Sequence, residues 1–277
     1  MCDVMNEDIG KCLDELNLAL GRYMVALGGA FLPTHWDGMP SGKPTFFCFP
    51  GFVLSLRDTW LFVTAGHNLR DILNSYGDKQ NKWTGMAWCH FVPEAVGNPV
   101  RPLDNSVDRP LHFKCDVTEH EQCDVGNATE DWGVLELTRE EQKWMVEAGV
   151  KPFTLDDLKT LFDADGYVLI GLPTELFDKV KIDEAGATNS VDPTIIGLKK
   201  RDDLIAQTKG RWFIGELPDE ATISIHGMSG GPLFAFDCDN WHVWIAGIQS
   251  HWCEKTRLAF VCPVQTILER LPAKFRP

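Results

Sequence analysis

From residue 45 onward the sequence is a succession of short β-rich runs broken by glycine, proline and aspartate, and no other feature narrows the possible folds as much. Residues 46–56 and 60–64 are expected to pair as strands, with Arg57-Asp58-Thr59 as the turn. Further strands are expected over 133–137, 167–172, 211–214, 232–236, 242–248 and 258–261. Helical spacing is confined to short stretches at 139–148, 155–162 and 263–271. Many short strands with few helices indicate a barrel or a sandwich. Two long irregular stretches, 71–130 and 173–210, are expected as loops, which at that length are usually functional or mobile.

Ahead of the β-rich region, residues 7–27 read as a helix. Ile9, Cys12, Leu13, Leu16, Leu20, Tyr23, Met24 and Leu27 recur at three- and four-residue spacings and make one apolar face. Asn6 suits the N-cap, Glu7 and Asp8 suit the positive end of the helix dipole, and Gly28-Gly29 suits its end. The face is expected to pack on the rest of the chain, with docking to a regulatory protein partner as the alternative.

The chain has 277 residues and 31.1 kDa, enough for one large domain or two small ones. With 44% hydrophobic and 24% charged residues it is neither disordered nor fibrous in composition. Forty acidic against 26 basic side chains leave a formal charge of −14, which argues against a broad nucleic-acid-binding face. An acidic surface suits a basic substrate or partner segment instead. Lys199, Lys200 and Arg201 form a small basic cluster, expected to be solvated in a polar loop. No apolar run approaches the ~18 residues of a membrane-spanning helix. The nine cysteines are scattered and odd in number, and the first eight residues carry neither a basic nor an apolar leader segment. Free thiols and a cytoplasmic location are therefore expected.

Three segments carry residue types that chemistry needs. They are Thr64-Ala65-Gly66-His67 at the end of an apolar run, Asp131-Trp132-Gly133-Val134-Leu135-Glu136-Leu137, and Gly227-Met228-Ser229-Gly230-Gly231-Pro232-Leu233. A serine hydroxyl becomes a competent nucleophile when an imidazole takes its proton. The imidazole needs a buried carboxylate to fix its tautomer and stabilise its cation. The developing oxyanion needs backbone N–H donors, each worth roughly 3–4 kcal/mol on removal. Glycine beside the serine permits the tight turn that aims them.

In this order and content the segments resemble the His, Asp and Ser blocks of the chymotrypsin-like (trypsin-like) serine peptidases, where they read Thr-Ala-Ala-His, Asp-x-Ala-Leu-Leu and Gly-Asp-Ser-Gly-Gly-Pro-Leu. The run from Gly51 through Val63 is similar to the strand pair leading into the family's histidine. Gly247-Ile248-Gln249-Ser250 is similar to the strand lining its substrate cleft. The likeness spans roughly residues 45 to 271. It implies an all-β fold of two six-stranded antiparallel β-barrels. On that pattern residues 1–29 form an N-terminal helical extension, 30–138 the first barrel, 155–262 the second, and 263–271 a C-terminal helix. It implies an endopeptidase without cofactor or metal, acting on a protein or peptide substrate. His67 is then the general base, Asp131 its orienting carboxylate and Ser229 the nucleophile. The N–H groups of Gly227 and Ser229 form the oxyanion hole, and Ser250 supports the acid and lines the cleft. A non-catalytic peptide-binding module on the same fold is the alternative.

Departures from the family pattern are informative. Met228 stands where trypsin has the aspartate that pairs with a new N-terminal amine, and a thioether makes no such ion pair. Activation by N-terminal insertion is therefore not expected; the chain looks more like bacterial and intracellular relatives, with its serine loop held by apolar packing of Met228 or by a partner. Asn68 replaces a disulfide cysteine, and Cys238, Cys253 and Cys262 do not reproduce the secreted enzymes' pairings. At the specificity pocket, Ile223 and Trp252 imply a small or medium apolar P1 side chain, whereas His226 and Gln249 allow a polar one. His112, Cys115, His120 and Cys123 have a zinc-like spacing, but strand alternation separates His112 from Cys115 and a metal is not expected. The serine segment also satisfies the nucleophile elbow of α/β-hydrolases, which requires a helix after the serine where 232–236 reads as strand.

Overall fold

A computed structural model describes residues 20–31, 45–75, 86–91, 100–103, 111–115, 130–158, 164–174, 182–183, 186–187, 193–208, 211–219, 225–237 and 242–276. The first unit is a seven-stranded antiparallel sheet. Its strands are β1 (Met24–Phe31), β2 (Thr45–Leu56), β3 (Thr59–Thr64), β4 (Met86–His90), β5 (Val100–Pro102), β6 (His112–Cys115) and β7 (Asp131–Glu136). Their order across the sheet is β5-β4-β1-β2-β3-β7-β6. The second unit is a closed six-stranded barrel, ordered β11-β12-β15-β14-β13-β8. It comprises β8 (Gly166–Gly171), β11 (Thr194–Lys200), β12 (Phe213–Glu216), β13 (Pro232–Asp237), β14 (His242–Cys253) and β15 (Leu258–Pro263); β9 (Ile182–Asp183) and β10 (Gly186–Ala187) form a separate short hairpin. Among the described residues, beyond the helical turn that ends at Gly21, the helices are α1 (Gly66–Ser75), α2 (Arg139–Glu147), the single turn α3 (Asp202–Ile205) and α4 (Val264–Arg270). The all-β double unit expected from the sequence is present. Its first unit, however, is a seven-stranded sheet whose edge strands β5 and β6 are not paired with each other among the described residues.

Both faces of the sheet are buried at its central strands β1, β2 and β3. Met24 and Ala26 of β1, Phe52 and Leu54 of β2, and Leu61 and Val63 of β3 join the core that continues into the barrel. The alternate residues Val25, Leu27, Val53 and Phe62 join a second core closed by Leu69 and Ile72 of α1 and Met145 of α2. This two-sided burial corrects the helix expected over 7–27. The run Met24-Val25-Ala26-Leu27 is continuously apolar because each side of the strand meets a core, and Gly28-Gly29 lies inside the strand rather than ending a helix. Helical structure stops at Gly21, residues 7–19 lie outside the described residues, and Met24–Gly29 belong to the sheet rather than to an extension.

Other boundaries move for comparable reasons. The stretch 71–130, expected as a loop apart from the strand alternation at His112 and Cys115, contains β4 and β5 besides the β6 that this alternation marks, and 173–210 contains β11 and α3. Of the helix expected at 155–162, the described residues form a single 3-10 turn, Leu155–Asp157, because Leu158 is extended and bridges Ile245 of β14; residues 159–162 lie outside the described residues. Residues just before it stitch the linker to the first sheet: Phe153 N–H donates to Val53 O and Ser55 N–H to Phe153 O. The basic cluster ends β11 rather than occupying a free loop, with Lys200 paired to Asp202 and Arg201 to Asp203 and Glu216. Cys48, Cys89, Cys115 and Cys262 are free thiols as expected, but Cys253 is disulfide-bonded; spacing along a chain does not reveal which cysteines meet. No helix among the described residues is long and apolar enough to cross a membrane.

Candidate active site

The histidine side of the site is built where β3 passes into α1. His67 lies in the first turn of the helix, so its main-chain N–H has no intrahelical acceptor. It donates instead to Asp131 Oδ1 at 2.9 Å, while the His67 ring meets Asp131 Oδ2 through Nδ1 at 2.8 Å. The approach is close enough to require glycine at 66, where a Cβ would lie 2.1 Å from the Lys114 carbonyl oxygen and 2.8 Å from that of Trp132. Asp131 is fully buried at the start of β7 and also accepts a 2.5 Å hydrogen bond from Ser250 Oγ.

The electrostatics follow from this count. An ionised carboxylate only accepts, and Asp131 has three donors aimed at it. Burial pushes its carboxyl up, but the bond and charge of His67 and the bond from Ser250 outweigh that and hold it below the usual carboxylate range. For His67, burial pushes the ring down, while the Asp131 bond and charge overcome it and leave the ring raised above its ordinary 6.5. Donation by Nδ1–H to the carboxylate leaves Nε2 of the neutral ring as an acceptor. The ring is 21% exposed.

The serine side is a turn gripped by the barrel. Met228 N–H donates to Ile225 O, and Gly227 has φ +86 at the third position of that turn, a conformation glycine adopts without penalty. Gly230 N–H donates to Gln249 O and Gln249 N–H to Gly231 O, fastening the loop to β14. Ser229 Oγ donates to the main-chain oxygen of Ser250 at 3.0 Å and makes no hydrogen bond to the His67 ring. Ser250 therefore touches both sides, its hydroxyl on Asp131 and its carbonyl on Ser229.

Two residues outside the expected set belong to the arrangement. Asn68 Nδ2 donates to Ser229 O at 2.7 Å and to Thr64 Oγ1 at 2.9 Å, and Thr64 Oγ1 in turn donates to Pro50 O. The four-residue spacing of Thr64 and Asn68 across the helix start was the available signal. His251 meets Ser250 Oγ through Nδ1 at 2.9 Å. Among the residues expected to set specificity, Gln249 is 1% exposed with Oε1 lacking a hydrogen-bond partner among the described residues, and the exposed His226 faces Trp252 edge-on. Ile223 lies outside the described residues, as do His120 and Cys123. Cys115 Sγ accepts a hydrogen bond from Arg70, the His112 ring packs against Phe275, and no group of three or more metal-ligating side chains occurs among the described residues. After the serine the chain enters strand β13, not the helix that a nucleophile elbow requires.

No family model matches the chain. No curated protein matches it. Among solved structures it is similar to the protease Anisep from Arthrobacter nicotinovorans, at 11% identity and a TM-score of 0.44, over 88% of this chain and 93% of that one. It is also similar to the serine protease domain of the Sesbania mosaic virus polyprotein, at 12% identity and a TM-score of 0.41, over 91% of this chain and 92% of that domain. At identities this low the functional argument rests on the site itself.

Proposed function

We propose that the chain is a serine endopeptidase working through an acyl-enzyme on Ser229. The observation that carries this reading is the convergence on Ser250, which joins the His67–Asp131 couple to the serine loop. When substrate enters, Ser229 Oγ rotates from the Ser250 carbonyl to His67 Nε2, the kind of bond that often tightens only in the substrate complex. His67 takes the hydroxyl proton as Oγ attacks the scissile carbonyl carbon, and the resulting oxyanion is bound by the N–H groups of Gly227 and Ser229. The imidazolium, stabilised by Asp131, gives its proton to the leaving amine as the C–N bond breaks. Water then repeats the sequence on the ester to release the acid and regenerate Ser229. The fully buried Met228 supports a serine loop held by apolar packing rather than by zymogen insertion.

An active-site fluorophosphonate tests this directly. Wild type is expected to be labelled at Ser229 and Ser229→Ala to lose the label. A wild-type chain that binds peptides but resists labelling is the non-catalytic module instead. For specificity, the buried Oε1 of Gln249, without a hydrogen-bond partner among the described residues, favours the polar alternative, a P1 side chain that donates a hydrogen bond, over a purely apolar one. Gln249→Leu is expected to lower kcat/KM for donor-bearing P1 residues about tenfold relative to apolar ones, a loss the size of one buried hydrogen bond. Equal loss across a peptide library would remove Gln249 from the pocket.

A further inference from the structure

The hydrogen-bond chain around Asp131 does not end at Ser250, and proton counting fixes the direction of its last link. The Ser250 hydroxyl has one proton, and its partner at 2.5 Å is an acceptor-only carboxylate. That proton is therefore committed to Asp131. The second contact of Ser250 Oγ, 2.9 Å to His251 Nδ1, must then be donated by the ring. His251 thus carries its proton on Nδ1, and the chain reads His251 to Ser250 to Asp131, with His67 donating from the other side.

The surroundings hold the ring in this role. His251 meets the tilted ring of Trp212, with ring centroids 5.3 Å apart, and stacks on Phe260 at 5.1 Å and 23°. Neither ring carries an acceptor that competes for the Nδ1 proton. The charged groups that act on it are Asp131 from β7, which favours its cation, and His67 from α1, which opposes it. Burial is the larger influence and brings the ring down to about 4, so it is neutral near pH 7.

We propose, resting on the peptidase reading above, that His251 is a positioning residue: by donating from Nδ1 it keeps the Ser250 hydroxyl turned to Asp131 and so tunes the hold of Asp131 on His67. The opposite tautomer would make Nδ1 an acceptor that competes with Asp131 for the Ser250 proton. Donation into Ser250 Oγ instead polarises the hydroxyl and strengthens its bond to the carboxylate. Part of the carboxylate charge is neutralised from that side. Without His251 as donor, Asp131 is more basic, and it holds the Nδ1 proton of His67 more tightly.

The test is nitrogen NMR of the full chain carrying 15N-labelled histidine. In wild type at pH 7, His251 is expected to show a protonated Nδ1 and an unprotonated Nε2; the reverse assignment overturns the proposal. This measurement needs no variant and no turnover. In His251→Phe, which keeps the stacking but removes the donor, the His67 titration is expected to move to higher pH. In His251→Asn, whose amide restores the donor, it is expected to stay at the wild-type position. An unmoved His67 titration in His251→Phe also overturns the proposal. Fluorophosphonate acylation is expected to fall about fivefold in His251→Phe, the size of one neutral hydrogen bond, and to be restored in His251→Asn. A wild-type chain that does not acylate at all refutes the peptidase reading, while the tautomer and the His67 titration still decide the role of His251.

Discussion

Asn68 bridges the two β units with one amide: its Nδ2 spans the Thr64 hydroxyl and the carbonyl of the nucleophile candidate, and the residue is 3% exposed. Asn68→Leu keeps the volume but leaves the Ser229 carbonyl without this donor in a confined place. An unsatisfied buried polar group costs about 1–3 kcal/mol. The expected outcome is a loss of stability in that range on urea unfolding, together with a fall in fluorophosphonate reactivity as Ser229 loses its anchor. Wild-type reactivity in Asn68→Leu would show that the β14 bonds hold the loop alone. Residues differ in how far the sequence exposes them. His67, Asp131 and Ser229 stand in contiguous blocks whose neighbours are restricted by the same chemistry. Asn68 and Ser229 are 161 positions apart, and nothing beside Asn68 announces its partner. His251 is hidden for the same reason, since its value comes from meeting Ser250 after Ser250 has met Asp131, 119 positions away.

The serine loop shows what an element requires beyond its residues. Met228 is fully buried in the core, and a Cβ at Gly171 of β8 would lie 2.8 Å from the Met228 Cβ. The loop is thus seated against the floor of a β-strand that only glycine leaves open. Truncating Met228 to alanine leaves a cavity, and buried Met to Ala changes cost about 2–5 kcal/mol. Met228→Ala is expected to lose stability on that scale and to slow acylation as Gly227 and Ser229 lose their backing. Unchanged thermal stability with unchanged acylation would exclude the packing role. Elements bounded by polar turns were readable: β2, β3, β13 and α2 lie within one or two residues of their expected ends. The first strand was not, because two-sided burial makes a continuous apolar run that also satisfies helical spacing. The short β4 and β5 were hidden for a different reason: with five and three residues, they take their pairing from neighbours rather than from their own pattern, whereas the alternation at β6 was legible.

At the scale of the molecule, the two β units share one core, and burial lowers the titration of several histidines set around it. Phe153 in the linker stacks on Tyr23 and meets Phe52 and Phe234, tying the first sheet to the barrel. Around this joined core, His90 is lowered by burial, His112 by burial and then by Lys274, and His251 by burial to about 4. The unfolded chain binds protons at these rings near pH 6.5, while the folded chain resists them until lower pH. Each therefore removes stability as pH falls below about 6.5, and His251 alone accounts for roughly 2 kcal/mol by pH 5. His67 acts in the opposite sense. Its raised value adds stability below about 6.5 that is lost as pH rises through its folded value. The loss at His251 gives the expected outcome, a lower urea midpoint at pH 5.0 than at pH 7.5. In His251→Asn, which keeps the hydrogen bond but cannot titrate, the gap between the two midpoints should narrow. A midpoint equal or higher at pH 5.0 would mean that the His67–Asp131 couple, not the lowered rings, governs the pH response of the fold.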